Sequence, residues 1–121
     1  TEHAYAPYSQ FPVGAAALTQ DGRIFQGANI ENASFSLTIC AERVALFKAV
    51  TETQVKPVII QAVAIYTAAP IHKPLMPCGA CRQVLMEWML PSGLFVTQNP
   101  ESGAVIMETI EDLLPRHFDL I

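Results

Sequence analysis

The chain contains three cysteines, and all of them lie in two short segments, one of which also carries a glutamate. Cys40 is followed two residues later by Glu42, and Cys78 and Cys81 have the spacing of one helical turn. Three thiolates can bind a zinc ion and leave its fourth position open to water, while a glutamate that is not a ligand can move protons beside it. These residue types predict a zinc site that does chemistry.

Both cysteine segments have features of a helix start. Pro77 and Gly79 flank Cys78, and Thr38 is the predicted N-cap before Cys40. Unpaired N–H groups and the positive end of the helix dipole at such a position stabilise thiolates and lower their pKa. The cysteines are therefore predicted to be good metal ligands.

Two side chains next to Cys40 are predicted to serve the metal without binding it. Glu42 can converge on the same ion as Cys40 at a helix start, because helical side chains lean toward the N-terminus. Arg43 carries a fixed charge and several donors, which would offset the negative charge of three thiolates on zinc. We predict Glu42 as the acid/base residue and Arg43 as a support for the ligands.

A Cys-x-x-Cys pair taken alone is not specific to a catalytic zinc site. Redox pairs and structural zinc knuckles share the spacing, and a lone first-turn glutamate is more often a helix residue than a catalyst. A structural site would need His3, His72 or His117 as a fourth ligand, and none has a regular spacing from a cysteine. His72 is nearest, and we expect it to be a solvated loop residue. A non-catalytic, zinc-stabilised interaction module is the alternative from a different class.

Composition restricts the domain count, the compartment and the partners. A chain of 121 residues that is 51% hydrophobic can bury one core, which predicts a single domain over residues 1–121. Three cysteines fit reduced thiols better than a disulfide framework. With no charged leader and no apolar run long enough for a bilayer, we expect a soluble, cytoplasmic protein without a membrane partner. A formal charge of -4 with seven Lys plus Arg disfavours a nucleic acid polymer and favours a small substrate.

Hydrophobic patterns predict the elements that position these residues. Strands are predicted over residues 13–19 and 24–30, joined by a turn at Asp21 and Gly22, and over 58–66, 94–97 and 104–108. Helices are predicted over 39–50 and 79–89. This order indicates an α/β fold with a five-stranded mixed sheet and helices on its faces. Both helices are apolar on more than one side, which favours burial against another subunit in a homo-oligomer; enclosure within the monomer is the alternative.

Taken together, the motifs resemble those of the small cytidine deaminases with three cysteine zinc ligands. The likeness runs in order through APYS at 6–9, FPVGA at 11–15, NIENAS at 29–34, LTICAER at 37–43, PCGACRQV at 77–84 and DLLP at 112–115. Several separate motifs in the right order are far more specific than any one. The resemblance implies a three-layer α/β/α sandwich with a five-stranded mixed sheet, one Zn²⁺ per subunit and assembly as a homotetramer.

The resemblance also implies the activity, which is hydrolytic deamination of cytidine and deoxycytidine to uridine and deoxyuridine with release of ammonia, a step of pyrimidine salvage. Cys40, Cys78 and Cys81 would bind zinc. Glu42 would carry protons from water to the ring and then to the departing amino group. Arg43 would offset the thiolate charge.

The same resemblance assigns residues to the nucleoside. Asn29 and Glu31 would hold the ribose 3'-hydroxyl, which agrees with their spacing, because residues two apart on a strand face the same way. Phe11 would lie against the pyrimidine face, and the backbone around Ala41 would bind the base edge. Without the family, Asn29 and Glu31 could equally be solvated residues at a strand end, and Phe11 would be interpreted as a core aromatic.

Three further positions concern the neighbouring subunit and departures from the family pattern. Phe118 resembles a terminal aromatic that packs near a neighbouring subunit's site. Phe35 stands near that interface where many relatives have tyrosine, so a hydroxyl is absent there. Met76 stands where serine is common before Pro-Cys, a change without consequence if this position acts through its backbone carbonyl.

Two rival enzyme classes share parts of the pattern. A deaminase of a larger cytosine compound such as blasticidin S has similar metal motifs, although Asn29, Glu31 and Arg43 favour the plain nucleoside. A polynucleotide deaminase commonly uses histidine as its first ligand and needs basic or aromatic surfaces for the strand. The sequence therefore favours a small nucleoside as substrate.

Overall fold

The computed structural model describes residues 1–54 and 56–120. Within them the strands are β1 (Val13–Thr19), β2 (Ile24–Ala28), β3 (Ile60–Thr67), β4 (Met89–Gln98) and β5 (Val105–Thr109). The helices are α1 (Ala41–Glu52), α2 (Gly79–Met86) and α3 (Ile110–Leu113), and a 3-10 turn covers Phe35–Leu37. The predicted order of strands and long helices is present, and the 3-10 turn and α3 are additions to it.

The strands form one mixed sheet in the order β2-β1-β3-β4-β5. β3 and β4 are parallel, and α2 lies in the crossover between them, while the other neighbouring strands are antiparallel. The α/β class and the five-stranded mixed sheet implied by the resemblance are confirmed.

The segments that precede the two cysteine motifs end at the same end of the sheet. β2 and β3 both run antiparallel to β1, so their carboxyl ends lie at the same end of the sheet. The register pairs Val13 with Thr67 and Gly14 with Ala28, which places the start of β1 there as well. The chain leaves β2 toward α1 and leaves β3 toward α2. Both long helices therefore begin at this end of the sheet.

The hairpin predicted from Asp21 and Gly22 is present. Gly22 has a φ of 90°, in the left-handed region that glycine adopts without steric cost. The N–H of Gly22 donates to the Thr19 carbonyl at 3.0 Å. The N–H of Arg23 donates to the Thr19 hydroxyl, also at 3.0 Å. These bonds close the turn and set the register of β1 against β2.

The junction between α2 and β4 differs from the prediction. α2 ends at Met86 rather than at residue 89, and β4 begins at Met89 rather than at residue 94. The N–H of Ile60 donates to the Trp88 carbonyl at 2.7 Å, and Ile60 pairs with Met89 in the parallel register. Pairing with β3, a partner distant in sequence, draws these residues into the sheet.

The core lies between the helices and one face of the sheet. Its centre is formed by fully buried side chains from α1, β3 and α2, namely Leu46, Ile60, Val63 and Leu85. Each of the three described helices contributes to this one core. The opposite face of the sheet carries exposed apolar side chains, among them Ile24, Tyr66 and Met107. None of the described helices is long and apolar enough to cross a membrane.

Close packing of α1 on the sheet depends on Gly27 in β2. A Cβ at Gly27 would lie 2.5 Å from the Ala45 nitrogen and 2.6 Å from the Ala41 oxygen, both backbone atoms of α1. Backbone atoms cannot rotate away, so the whole helix would have to move. Gly27 therefore sets the distance between the sheet and the helix that begins after Cys40.

We expect Gly27→Ala to destabilise the protein by about 1–3 kcal/mol, the usual cost of overpacking a dense core. Denaturant unfolding of the purified protein measures the loss. Gly79→Ala is the matched control, because a Cβ at Gly79 meets nothing within 4 Å and alanine is favoured over glycine in a helix. Equal stability of the Gly27 variant and the parent protein would contradict the packing argument.

Candidate functional site

The three cysteine sulfurs lie together at the end of the sheet where α1 and α2 begin. The Sγ atoms of Cys40 and Cys78 are 3.8 Å apart, and those of Cys78 and Cys81 are 3.5 Å apart. All three lie within 4.8 Å of one another. With Zn–S bonds of about 2.3 Å, sulfurs on a tetrahedral zinc ion stand about 3.8 Å apart. The thiols of this cluster thus fit one zinc ion.

The cluster offers three protein ligands, one fewer than a closed tetrahedral zinc site needs. Among residues 1–54 and 56–120, no His, Asp, Glu or further Cys joins the three sulfurs in a metal-binding group. His72 is exposed and lies outside the cluster, as expected of a solvated loop residue. Three protein donors leave one position of a tetrahedral ion for a water molecule.

Two helix starts deliver the ligands. Cys40 is itself the N-cap of α1, with extended φ and ψ of -70° and 154°, so the prediction of Thr38 as the cap is wrong. Backbone pairing between Ile30 and Ile39 keeps the chain extended up to Cys40 and delays the helix. Cys78 caps α2 in the same way, with φ of -67° and ψ of 164°. Cys81 lies one turn into α2 and is fully buried.

Hydrogen bonds and charge within the cluster favour a thiolate at Cys40. The pKa of Cys40 is lowered to about 5, first by a hydrogen bond from the Cys81 thiol and then by Arg43, against the opposing effect of burial. The pKa of Cys81 is raised, because its thiol donates to Cys40 and is buried. The thiolate is the form of cysteine that binds a divalent cation.

Arg43 lies behind the ligands rather than in the cavity. Its Nη2 donates to the Cys40 sulfur at 3.5 Å, and this hydrogen bond is the main reason that the pKa of Arg43 is raised. Its Nε is buried and lacks a hydrogen-bond partner in the described part of the chain. A fixed positive charge against a sulfur ligand is the arrangement that the sequence predicted for this residue.

Glu42 stands on the first turn of α1 with only 5% of its surface exposed. Burial raises the pKa of its carboxyl group, and the negative charge at Cys40 raises it further. A raised pKa makes the protonated form of a carboxyl group easier to reach, as is required of a group that accepts a proton and returns it. Glu42 has the burial and the electrostatic environment of a general acid/base.

A cavity of about 380 Å³ opens beside the cluster. Most of the residues that the sequence assigned to metal, catalysis or substrate line it, namely Phe11, Asn29, Glu31, Cys40, Ala41, Glu42 and Cys78. Phe35, which the sequence assigned to a contact with a neighbouring subunit, also lines it. Phe118 does not line it; this side chain is 66% exposed, and its carbonyl accepts a hydrogen bond from Gln83 at 2.8 Å. The cavity thus brings the predicted metal and nucleoside residues together.

Asn29 and Glu31 form the polar end of this cavity, and both also bind the segment before β1. The Asn29 side chain accepts the N–H of Val13 at 3.0 Å and donates to the Phe11 carbonyl at 2.9 Å. Glu31 accepts the N–H groups of Tyr8 and Ser9 at 3.0 and 3.1 Å. The Ser9 hydroxyl also donates to Glu31, and this bond is the main reason that the pKa of Glu31 is lowered.

Some functional positions were missed by sequence reasoning. Ser9 lines the cavity and binds Glu31, and its place in the APYS motif was the only available signal. Arg82 ties the loop before Cys78 to the end of α3, since its Nε donates to Pro77 at 2.8 Å and its Nη1 to Leu113 at 2.9 Å. Both partners of Arg82 are backbone carbonyl groups, which every residue has, so the sequence gives no indication of which ones it binds. The role of Arg82 could therefore not be predicted.

Comparisons with known proteins agree with this geometry. Residues 1–97 match the family model described as the cytidine and deoxycytidylate deaminase zinc-binding region. A cytidine deaminase of Halalkalibacterium halodurans is 48% identical over 97% of this chain and 84% of its own length. The crystal structure of cytidine deaminase from Burkholderia pseudomallei superposes with a TM-score of 0.86 at 47% identity, covering 97% of this chain and 89% of that one. A blasticidin-S deaminase of Bacillus cereus is 30% identical over 85% of this chain and 74% of its own length.

Proposed function

The chain belongs to the cytidine and deoxycytidylate deaminase family, and from this premise we propose that it hydrolyses cytidine and deoxycytidine to uridine and deoxyuridine with release of ammonia. The observation that carries the proposal is that buried Glu42 lines the same cavity as Cys40 and Cys78, two members of the cysteine cluster. The proposed setting is pyrimidine salvage in the cytoplasm.

The matched family model describes a zinc-binding region, and the three cysteine sulfurs suit a zinc ion. Cys40, Cys78 and Cys81 would hold one zinc ion per subunit, with Arg43 against the Cys40 sulfur. When bound, such an ion supplies a water molecule acidic enough to act as a nucleophile at neutral pH.

Glu42 carries the protons of the proposed reaction. Its carboxylate accepts a proton from the attacking water and delivers it to ring N3, which makes C4 of the base electrophilic. It then passes the second proton of the water to the departing amino group. One water is consumed, one ammonia leaves and a carbonyl remains at C4. The burial of Glu42 supports this role, because it raises the pKa of the carboxyl group and so favours the protonated form from which the proton is passed on.

The polar end of the cavity has hydrogen-bonding capacity left for one hydroxyl group. A carboxylate offers about four acceptor positions, and three at Glu31 are taken by Tyr8 and Ser9. The Asn29 amide nitrogen has two N–H groups, of which one donates to Phe11. A hydroxyl can donate to Glu31 and accept from Asn29 at once. This capacity supports the assignment of both residues to the ribose 3'-hydroxyl, with Phe11 against the base and the backbone near Ala41 at its edge.

The charge of the cavity favours a nucleoside over a nucleotide. Its described lining includes the carboxyl groups of Glu31 and Glu42 and contains neither Lys nor Arg. A 5'-phosphate would meet negative charge without a compensating cation. The same argument disfavours a nucleic acid strand.

Exposed apolar residues beside the cavity support a homo-oligomer, which we propose to be a tetramer. Leu37 is 63% exposed, and Ile30 and Phe47 lie exposed next to it along one groove. Phe35 lines the substrate cavity and yet is exposed, which suits a position covered by a neighbouring subunit, and Phe118 is proposed to make a similar contact. Sedimentation equilibrium tests the proposed tetramer. A protein that stays monomeric at the concentrations used in activity assays would refute the proposal of a homo-oligomer.

A substrate panel tests the proposed function. We expect the loss of cytosine absorbance with cytidine and deoxycytidine, and no turnover of cytidine 5'-monophosphate or single-stranded DNA. Chelation of zinc should abolish the activity, and added zinc should restore it. Faster turnover of blasticidin S than of cytidine would show that the protein is a blasticidin-S deaminase. A zinc-loaded protein that turns over none of these substrates would indicate a non-catalytic, zinc-stabilised module.

A further inference from the structure

The segment 6–10 makes a tight turn beside the cavity that Ser9 and Phe11 line. Gln10 has a φ of 55°, which is unusual for a residue other than glycine, and its N–H donates to the Ala6 carbonyl at 3.0 Å. A conformation of this kind persists only where the surrounding bonds hold it. Phe11, the aromatic residue proposed to lie against the base, follows this turn directly.

The side chain of Ser9 holds the backbone on the N-terminal side of Phe11. Its hydroxyl donates to one oxygen of Glu31 and accepts the N–H of Phe11 at 3.0 Å. Its own N–H donates to the other Glu31 oxygen at 3.1 Å. A single serine therefore joins the carboxylate that follows β2 to the backbone of Phe11.

Phe11 is held on its other side by Asn29. The Asn29 amide donates to the Phe11 carbonyl at 2.9 Å and accepts the N–H of Val13 at 3.0 Å. The backbone of Phe11 is thus fixed at its N–H by Ser9 and at its carbonyl by Asn29. Removing the Ser9 hydroxyl would free the N–H end and one oxygen of Glu31 together.

We propose that Ser9 is a positioning residue for nucleoside binding, acting through Glu31 and Phe11 without touching the reacting atoms. Its hydroxyl keeps the Phe11 ring over the base position and takes up one oxygen of Glu31, so that one acceptor position is left for the sugar. The inference rests on the proposed function, because the ligand it serves is the nucleoside.

The test compares Ser9→Ala with Ser9→Thr, which keeps the hydroxyl, and with Ser102→Ala. Ser102 is a matched control, because its hydroxyl accepts the N–H of Ala104 two residues later at 3.2 Å in an exposed turn away from the cavity. We expect Ser9→Ala to raise KM for cytidine and the dissociation constant of the product uridine about tenfold or more, with kcat within about threefold of the parent. Ser9→Thr and Ser102→Ala should stay close to the parent enzyme.

Three measurements separate positioning from a general loss of structure. Zinc content and the melting temperature should be similar for all variants, while amide hydrogen exchange at residues 9–13 should be faster in Ser9→Ala alone. An unchanged KM in Ser9→Ala, or a Thr variant as impaired as the Ala variant, would overturn the proposal about Ser9. The proposed function would still stand in that case, because the parent enzyme turns over cytidine. A parent enzyme that neither binds nor deaminates cytidine would refute the proposed function and this inference with it.

Discussion

Replacing Glu42 with glutamine should lower kcat for cytidine about 10²–10⁴-fold or more, the range that positioned acid/base groups contribute. Glutamine has nearly the same size as glutamate, so the buried site on the first turn of α1 keeps its packing. It cannot accept the proton of water or return it to the base. We therefore expect zinc content and uridine affinity to remain close to those of the parent, and steady-state kinetics with metal analysis measures both.

Glu52→Gln is the matched control for this experiment. Glu52 lies in the last turn of the same helix and is exposed, so the same chemical change should leave kcat unaffected. A Glu42→Gln protein with a full complement of zinc and near-parent turnover would show that another group moves the protons. A variant without zinc would instead indicate that Glu42 contributes to metal binding.

Replacing Cys78 with serine should remove both the metal and the activity. Cys78 is exposed, so the substitution does not disturb the core as a change at buried Cys81 would. A neutral hydroxyl is a poor replacement for a thiolate on zinc. Because the loss of an outer-shell partner already costs about 10–100-fold in affinity, we expect the loss of a ligand to weaken zinc binding by about 100-fold or more.

Three measurements on Cys78→Ser check this expectation. Metal analysis should fall from about one zinc per subunit to near zero, cytidine turnover should be lost, and the melting temperature should drop toward that of the chelated parent, because zinc stabilises only the folded chain. Circular dichroism at low temperature confirms that the variant is folded. Gly79→Ala is the neighbouring control, since its added Cβ meets nothing within 4 Å and no ligand is removed. Full zinc content in Cys78→Ser would exclude Cys78 as a ligand.

Local features were predictable where residue type alone decides the outcome. The turn at Gly22 follows from a glycine that tolerates positive φ, and the helix starts at Cys40 and Cys78 follow from the flanking residues to within a position or two. The donor set follows from the cysteine count, since the chain has three thiols and all of them lie in the two motif segments.

Other features could not be predicted from residue type alone. Thr38 is a better N-cap by preference than Cys40, yet pairing of Ile39 with Ile30 moved the helix start. The early start of β4 at Met89 likewise comes from pairing with Ile60. In both cases a backbone hydrogen bond to a distant partner outweighed a local preference.

The amino-acid sequence by itself determined the chemistry available to this protein, namely three thiols, a neighbouring carboxyl group and the motifs that place it in its family. Only the tertiary structure decided that Cys40 and Cys78, 38 residues apart, have sulfurs 3.8 Å from each other. It also decided that Glu31 and Asn29 hold the segment 8–13 as well as facing the cavity. The physical reason is that β2 and β3 run in the same direction on either side of β1. Helix starts that are local in sequence become neighbours only through such pairing.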